Sequence, residues 1–185
     1  MASTGVQTLA AFLLVVLAVL QLPTVGARRW RSSSSYSDIP SSCYRPSGSD
    51  CTWYRNCLER KIPCSRRSGD YAIAYAEKYC NRYQSNYNSF SSAGKRWVNA
   101  VKRCLQVKLA PVLSQSLTCP SIKRKGFESH VPCYLNPGYG APGFCQLSSR
   151  DMRRVFSTIK GALLTDLWAT VSGGWQTIRN CLGNH

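Results

Sequence analysis

The stretch Ser92-Ala-Gly-Lys-Arg-Trp-Val-Asn-Ala-Val-Lys-Arg-Cys-Leu-Gln-Val-Lys-Leu-Ala-Pro-Val-Leu113 decides the fold. Trp97, Val101, Leu105 and Leu109, with Cys104 beside them, recur every three or four residues, the spacing that gathers side chains on one face of a helix. Ser91 or Ser92 supplies a hydroxyl that accepts from an orphan first-turn N–H. Pro111 lacks an N–H and crowds the preceding turn, so the helix ends or kinks there. Lys95, Arg96, Lys102, Arg103 and Lys108 fall mostly off the apolar stripe and are expected to face water or a partner. Cys104, on the apolar face, predicts a covalent staple to another element.

Working outward, a first short helix is expected from Ser49 or Asp50 to Glu59, with Trp53, Cys57 and Leu58 on its apolar side and Pro63 as its stop. A longer one follows from Asp70 to Asn86. Tyr71, Ala74, Tyr75, Tyr79 and Tyr83 recur there at helical spacing, widened by Ile73, Ala76 and Cys80. Buried rings whose hydroxyls reach solvent or backbone are the expected arrangement; an aromatic ligand cage is the alternative. Beyond Leu113 lies a helix-poor or short-helix stretch carrying the densest basic run, Lys123-Arg124-Lys125, and then His130 in a loop. Asn136 to Cys145 is too rich in Gly and Pro to be anything but a loop. The last helix opens at Ser148 or Ser149, and Met152, Val155, Phe156, Ile159, Leu163, Leu167 and Val171 form its stripe. Gly173-Gly174 interrupts it before Trp175, Ile178 and Cys181. The pattern predicts an all-α fold, a disulfide-stapled helical bundle of three to five helices with a Gly/Pro-rich loop.

The N-terminal segment is expected to stand outside this fold. Leu9 to Leu20 is apolar and uncharged but shorter than the roughly 20 residues of a spanning helix. Val25-Gly26-Ala27 supplies small residues suited to signal-peptidase cleavage. The sequence therefore divides into a signal peptide at 1–27, a basic Ser-rich flexible tail at 28–42 and one domain at 43–185. A signal anchor is the competing reading of the first segment, and Arg28-Arg29 a processing point. All 10 cysteines follow residue 27, and an even number in a secreted chain argues for disulfides. The tight Cys-x-x-Cys or Cys/His clusters of zinc sites are absent from the sequence, so neither metal nor cofactor is expected.

Charge and catalytic residues narrow the function. Lys and Arg number 24 against 8 Asp and Glu, a net charge of +16. In a secreted chain, that balance points to sulfated glycans, anionic membrane surfaces or an acidic protein, and makes nucleic acid an unexpected partner in vivo. Histidine occurs only at 130 and 185. Neither long helix carries the His-Asp pair of a secreted phospholipase. A serine triad needs a His reaching both nucleophile and carboxylate, and His130 has no accompanying motif. The eight acids do not pair at short spacing. No enzyme is expected.

Cys57-Leu-Glu59, Cys64, Tyr79-Cys80, Gly94-Lys95-x-Trp97-Val98-x5-Cys104, Cys119, Cys133, Cys145 and Cys181 form an ordered string that resembles the stanniocalcin pattern over nearly the whole stretch from Cys43 to Cys181. The resemblance implies the pairs Cys43–Cys57, Cys51–Cys80, Cys64–Cys119, Cys104–Cys133 and Cys145–Cys181, one choice among many that spacing alone does not select. It also implies a secreted hormone or regulatory protein that acts by binding a receptor, a proteinase or a glycan and is linked to calcium and phosphate balance. The family's sequon is replaced by Arg60-Lys-Ile-Pro, and no cysteine follows Cys181 to link two subunits. Calcium itself is a poor ligand for this chain, because hard-cation sites gather several carboxylates.

A secreted basic effector, either a toxin or an antimicrobial acting on an ion channel or anionic membrane, is the alternative function. A matrix protein held by acidic polysaccharide is a third. Lys95, Arg96, Lys102, Arg103, Lys123, Arg124 and Lys125 are the candidate polyanion-binding residues. With ten cysteines used internally, no covalent dimer is expected. The secreted protein should run as a monomer on a non-reducing gel; a reducible band at twice the mass would show an intermolecular bridge.

Overall fold

The computed structural model describes residues 38–65, 70–165 and 181. The described residues are helical, with no strand among them. Among the described residues there are five α-helices: α1 Lys78–Ser85, α2 Ser92–Leu109, α3 Cys119–Glu128, α4 His130–Leu135 and α5 Ser149–Thr165. Leu167, Val171, the Gly173-Gly174 break, Trp175 and Ile178 lie outside the described residues, as do the expected signal peptide and most of the tail.

α2 forms as its sequence dictates. The Ser91 hydroxyl accepts from the Gly94 amide at 3.1 Å, which caps the first turn. At the far end the chain tightens into a 3-10 turn, Ala110–Ser114, with Pro111 in its first turn, where a missing N–H does no harm. The helix serves two hydrophobic clusters at once. Leu109 packs with Tyr54, Leu58, Tyr71, Leu113 and Ile122 in one. Trp97, Val98 and Val101 pack with Tyr83, Phe90, Phe144 and Val155 in the other. Trp97 is fully buried, and its indole N–H donates to the Tyr134 carbonyl at 3.0 Å, so burial leaves no polar group unsatisfied there.

The two segments expected as plain α-helices near the start are wound more widely. Tyr54–Glu59 and Ala72–Glu77 are π-helical, and the Ala76 amide donates to the Tyr71 carbonyl five residues back at 2.8 Å. The wider turn shifts which side chains face inward. Ala74, expected in the buried stripe, is exposed, whereas Ala72 and Glu77 are buried. The two π segments pack together, and the Arg55 guanidinium holds the Glu77 carboxylate at 2.9 Å.

The stretch after Leu113 contains more helix than its composition suggests. Thr118 caps α3, accepting from the Ser121 amide at 3.4 Å, and Pro120 sits in the first turn. His130, expected in a loop, opens α4 instead. Gly126 is where α3 passes the buried Tyr71 ring, so close that an added Cβ would overlap it. From Asn136 to Gly143 the chain is a loop, as its prolines and glycines require. The flexible tail expected to run to residue 42 ends earlier: Ser41–Tyr44 is a 3-10 turn, and Ile39 packs against the core.

One carboxylate joins two helix starts. Asp151, fully buried in the first turn of α5, accepts from the Ser91 amide at 3.0 Å, the Ser91 hydroxyl at 2.5 Å and the Ser148 hydroxyl at 3.1 Å. It completes the cap of its own helix and lies against the N-terminus of α2, where the helix dipole favours a negative charge. Gly94 makes the approach possible, since a Cβ there would come within 2.8 Å of the carboxylate. Burial alone would raise the Asp151 pKa, but the Ser91 and Ser148 hydrogen bonds and the Arg150 charge bring it below the usual aspartate value. A depressed folded-state pKa stabilises the fold above the unfolded value of about 3.9, and that stabilisation is lost as pH falls through the folded one. Asp151→Asn should therefore lower unfolding free energy by about 2 kcal/mol at neutral pH, the scale of hydrogen bonds to a charged group. In urea titrations the gap from the wild type should narrow in strong acid; an equal gap at both pH values would rule out the charge.

Candidate functional site

Five disulfide bonds hold the elements that carry the candidate residues. The bridges are Cys43–Cys57, Cys51–Cys80, Cys64–Cys119, Cys104–Cys133 and Cys145–Cys181, with Cα separations of 5.5, 5.6, 5.6, 5.6 and 5.1 Å. These are the same five pairs that the family resemblance implies. No cysteine is left free. So dense a set of bridges suits an extracellular or secretory environment, where thiols are not kept reduced.

The candidate basic residues separate into different environments. On α2, Arg96 and Arg103 are exposed and two helical turns apart, and Lys95 is half-buried with its ammonium 5.4 Å from the centre of the Tyr87 ring. Lys102 is not on this surface. It is 5% exposed, and its ammonium donates to Gln84 Oε1 at 2.9 Å and to the Ser49 carbonyl at 3.5 Å. The reason is a second buried row, Gly94, Val98, Lys102, Gln106 and Ala110, that runs beside the apolar stripe. Gln106 in turn donates to the Asp50 carbonyl at 2.8 Å, so this row ties down the loop at 49–50. Burial lowers the Lys102 pKa from the ordinary lysine value, and the Asp50 carboxylate partly opposes it.

Lys123, Arg124 and Lys125 lie on α3. Arg124 and Lys125 are exposed, and Arg124 reaches Glu128 at 3.7 Å across one helical turn. Lys123 is half-buried, its ammonium 5.9 Å from the Phe127 ring centre. The basic groups thus occupy two helices, with one of them withdrawn into the interior.

The tyrosine stripe meets α3 and α4 in an aromatic cluster. Tyr75 lies 4.8 Å from Tyr79, 4.7 Å from Phe127 and 5.7 Å from His130, ring centre to ring centre. The expectation that the hydroxyls reach solvent or backbone fails at Tyr71 and Tyr83. The Tyr71 hydroxyl is buried with no hydrogen-bond partner among the described residues, and that of Tyr83 meets the Tyr134 hydroxyl at 3.4 Å. Burial drives the pKa of both Tyr71 and Tyr83 well above the ordinary phenol value.

His130 sits among these rings. Its Nδ1 is 2.7 Å from the Gly126 carbonyl, which also accepts from the Ser129 hydroxyl at 2.7 Å. A shared backbone acceptor is an anchor, not a nucleophile–base pair. Among the described residues, no three His, Cys, Asp or Glu side chains group to hold a metal ion, and no helix is long and apolar enough to cross a membrane. No family model, curated protein or solved structure matches the chain.

Burial lowers the His130 pKa to about 4, although the Gly126 and Phe127 backbone groups favour the charged form. The unfolded chain takes up this proton near pH 6.5. Between about 6.5 and about 4 the unfolded state binds more protons, so stability should fall as pH drops through that window and level off below it. His130→Phe should flatten the window in denaturation curves. A His130 proton resonance titrating near 6.5 would contradict the burial argument.

Proposed function

We propose that this chain is a secreted, stanniocalcin-like regulatory protein that acts by binding an extracellular partner, a receptor or a proteinase, and not by catalysis. The observation that carries the reading is the closure of all ten cysteines into five pairs in the order the resemblance implies. A scaffold stapled at five places holds surface residues in fixed relation, and that preorganisation lowers the ordering entropy lost on binding. Any link to calcium or phosphate balance is indirect, exerted through the bound protein.

The positive charge directs the protein toward heparin-like polyanions. A net +16 exceeds the magnitude of about 2–8 that keeps a small domain soluble. Arg96, Arg124 and Lys125 present their charges to solvent, and Arg103 adds a fourth. Attraction between exposed charges is screened beyond roughly 8 Å at physiological salt, so binding weakens steeply as salt rises.

The test is elution from immobilised heparin. Wild-type protein should stay bound at physiological salt, and replacing Lys123, Arg124 and Lys125 with Ala should lower the eluting salt while leaving helicity unchanged. Lys102→Ala should elute with the wild type, because that ammonium is spent on Gln84 and Ser49. Passage of the wild type straight through the column would remove the glycan from the proposal.

A further inference from the structure

Among the described residues, three large apolar side chains are exposed, and all three converge. Tyr44, Val107 and Tyr139, at 41%, 40% and 53% exposure, line one surface groove of about 550 Å³ with Arg45, Arg103 and Pro111. Scattered exposed apolar residues need no explanation, but a gathered set with two arginines does. Tyrosine and arginine are the residue types that most often dominate the energetics of protein interfaces.

The groove is held open by the fold. Its three walls come from the 3-10 turn Ser41–Tyr44, the second half of α2 and the loop around Tyr139, and a disulfide anchors each. Cys43 is bonded to Cys57 directly before Tyr44, and the Trp53 indole donates to the Cys43 carbonyl at 2.9 Å. Cys104, next to Arg103, is bonded to Cys133, which precedes the Tyr139 loop. Tyr139 itself takes φ +56°, between Gly138 and Gly140 at +77° and +67°. A tyrosine in the left-handed region is uncommon and strained, and such strain clusters where a side chain is displayed for use.

Its charge is equally one-sided. The Arg103 guanidinium lies 4.2 Å over the Tyr139 ring centre, and it donates no hydrogen bond among the described residues. Neither Arg45 nor Arg103 is paired with a carboxylate among the described residues. A guanidinium with a free edge binds a carboxylate through two parallel hydrogen bonds. The chain's own segment 28–37 carries Arg28, Arg29 and Arg31, the wrong sign to fill the groove. A sulfated glycan would match the arginines but leave the apolar walls unused.

We infer that this groove docks an acidic peptide segment of a partner protein, with a bulky apolar side chain between Tyr44 and Tyr139 and a carboxylate on Arg103. The inference deepens the binding reading above and rests on it for the partner's compartment. Its test is independent of heparin retention. The full secreted chain is immobilised and panned with a random dodecapeptide library, and enriched peptides are resynthesised and titrated by fluorescence polarisation. Enriched sequences should place Asp or Glu beside Trp, Phe or Leu. Arg103→Glu, and separately Tyr44→Ser with Tyr139→Ser, should weaken them by at least about tenfold. Alanines at Lys123, Arg124 and Lys125 should leave them unchanged. No enrichment, enriched peptides without acids, or binding indifferent to Arg103→Glu would overturn the proposal. Displacement of the dodecapeptides by a heparin oligosaccharide that binds wild type but not Arg103→Glu would assign the groove to glycans instead, and equally tight binding of a synthetic 28–37 peptide would assign it to the chain itself.

Discussion

The bond between Cys104 and Cys133 is the constraint from which the rest of the structure follows. It fixes α2, which like α1 contributes side chains to both hydrophobic clusters, against α4. Cross-linking removes conformations from the unfolded chain, a contribution of about 2–4 kcal/mol per bridge in the chain-entropy model. The two clusters differ in size, and both draw residues from α2. Losing that bridge would leave packing and the hydrogen bond from the Trp97 indole to the Tyr134 carbonyl to hold α2 against α4.

What the sequence made legible were features with a local cause. The cap at Ser91, the end of α2 at Pro111 and the loop from Asn136 each depend on residues within a turn of themselves; the structure shows the first two where expected, and the loop, expected to reach Cys145, ends at Gly143 in a 3-10 turn, Phe144–Gln146. The burial of Lys102 was not legible, because periodicity sees an amphiphilic residue as polar. Gln84 of α1 and the arriving loop at 49–50, the latter more than fifty positions away, turn that row inward. The π-helical turns were equally hidden, since one widened turn leaves no mark on composition.

Two further features had signals that could have been read. Ser148-Ser-Arg-Asp151 is a capping-box spacing, serine followed three residues later by an acid, and it points at Asp151. Thr118-Cys-Pro120 announces a helix start by the same logic. The reach of Asp151 to a second helix had no such signal, because it needs the tertiary contact that Gly94 permits. The arginine–tyrosine groove is of this second kind. Its residues lie at 44–45, 103–111 and 139, and nothing short of the folded chain places them together.

The order of the bridges has a consequence for covalent integrity. Cys51 lies inside the loop closed by Cys43 and Cys57, Cys64 inside that of Cys51 and Cys80, and Cys104 inside that of Cys64 and Cys119. The four spans overlap like links, so a single peptide-bond cleavage anywhere between Cys43 and Cys133 leaves one connected molecule. Between Cys133 and Cys145 no bridge spans the backbone. One cut there, in the loop that displays Tyr139, would free the part of the chain carrying α5 from every covalent hold. It would then stay by its packing, by the hydrogen bonds of Asp151 and by those that Arg82 and Asn86 donate to Thr158.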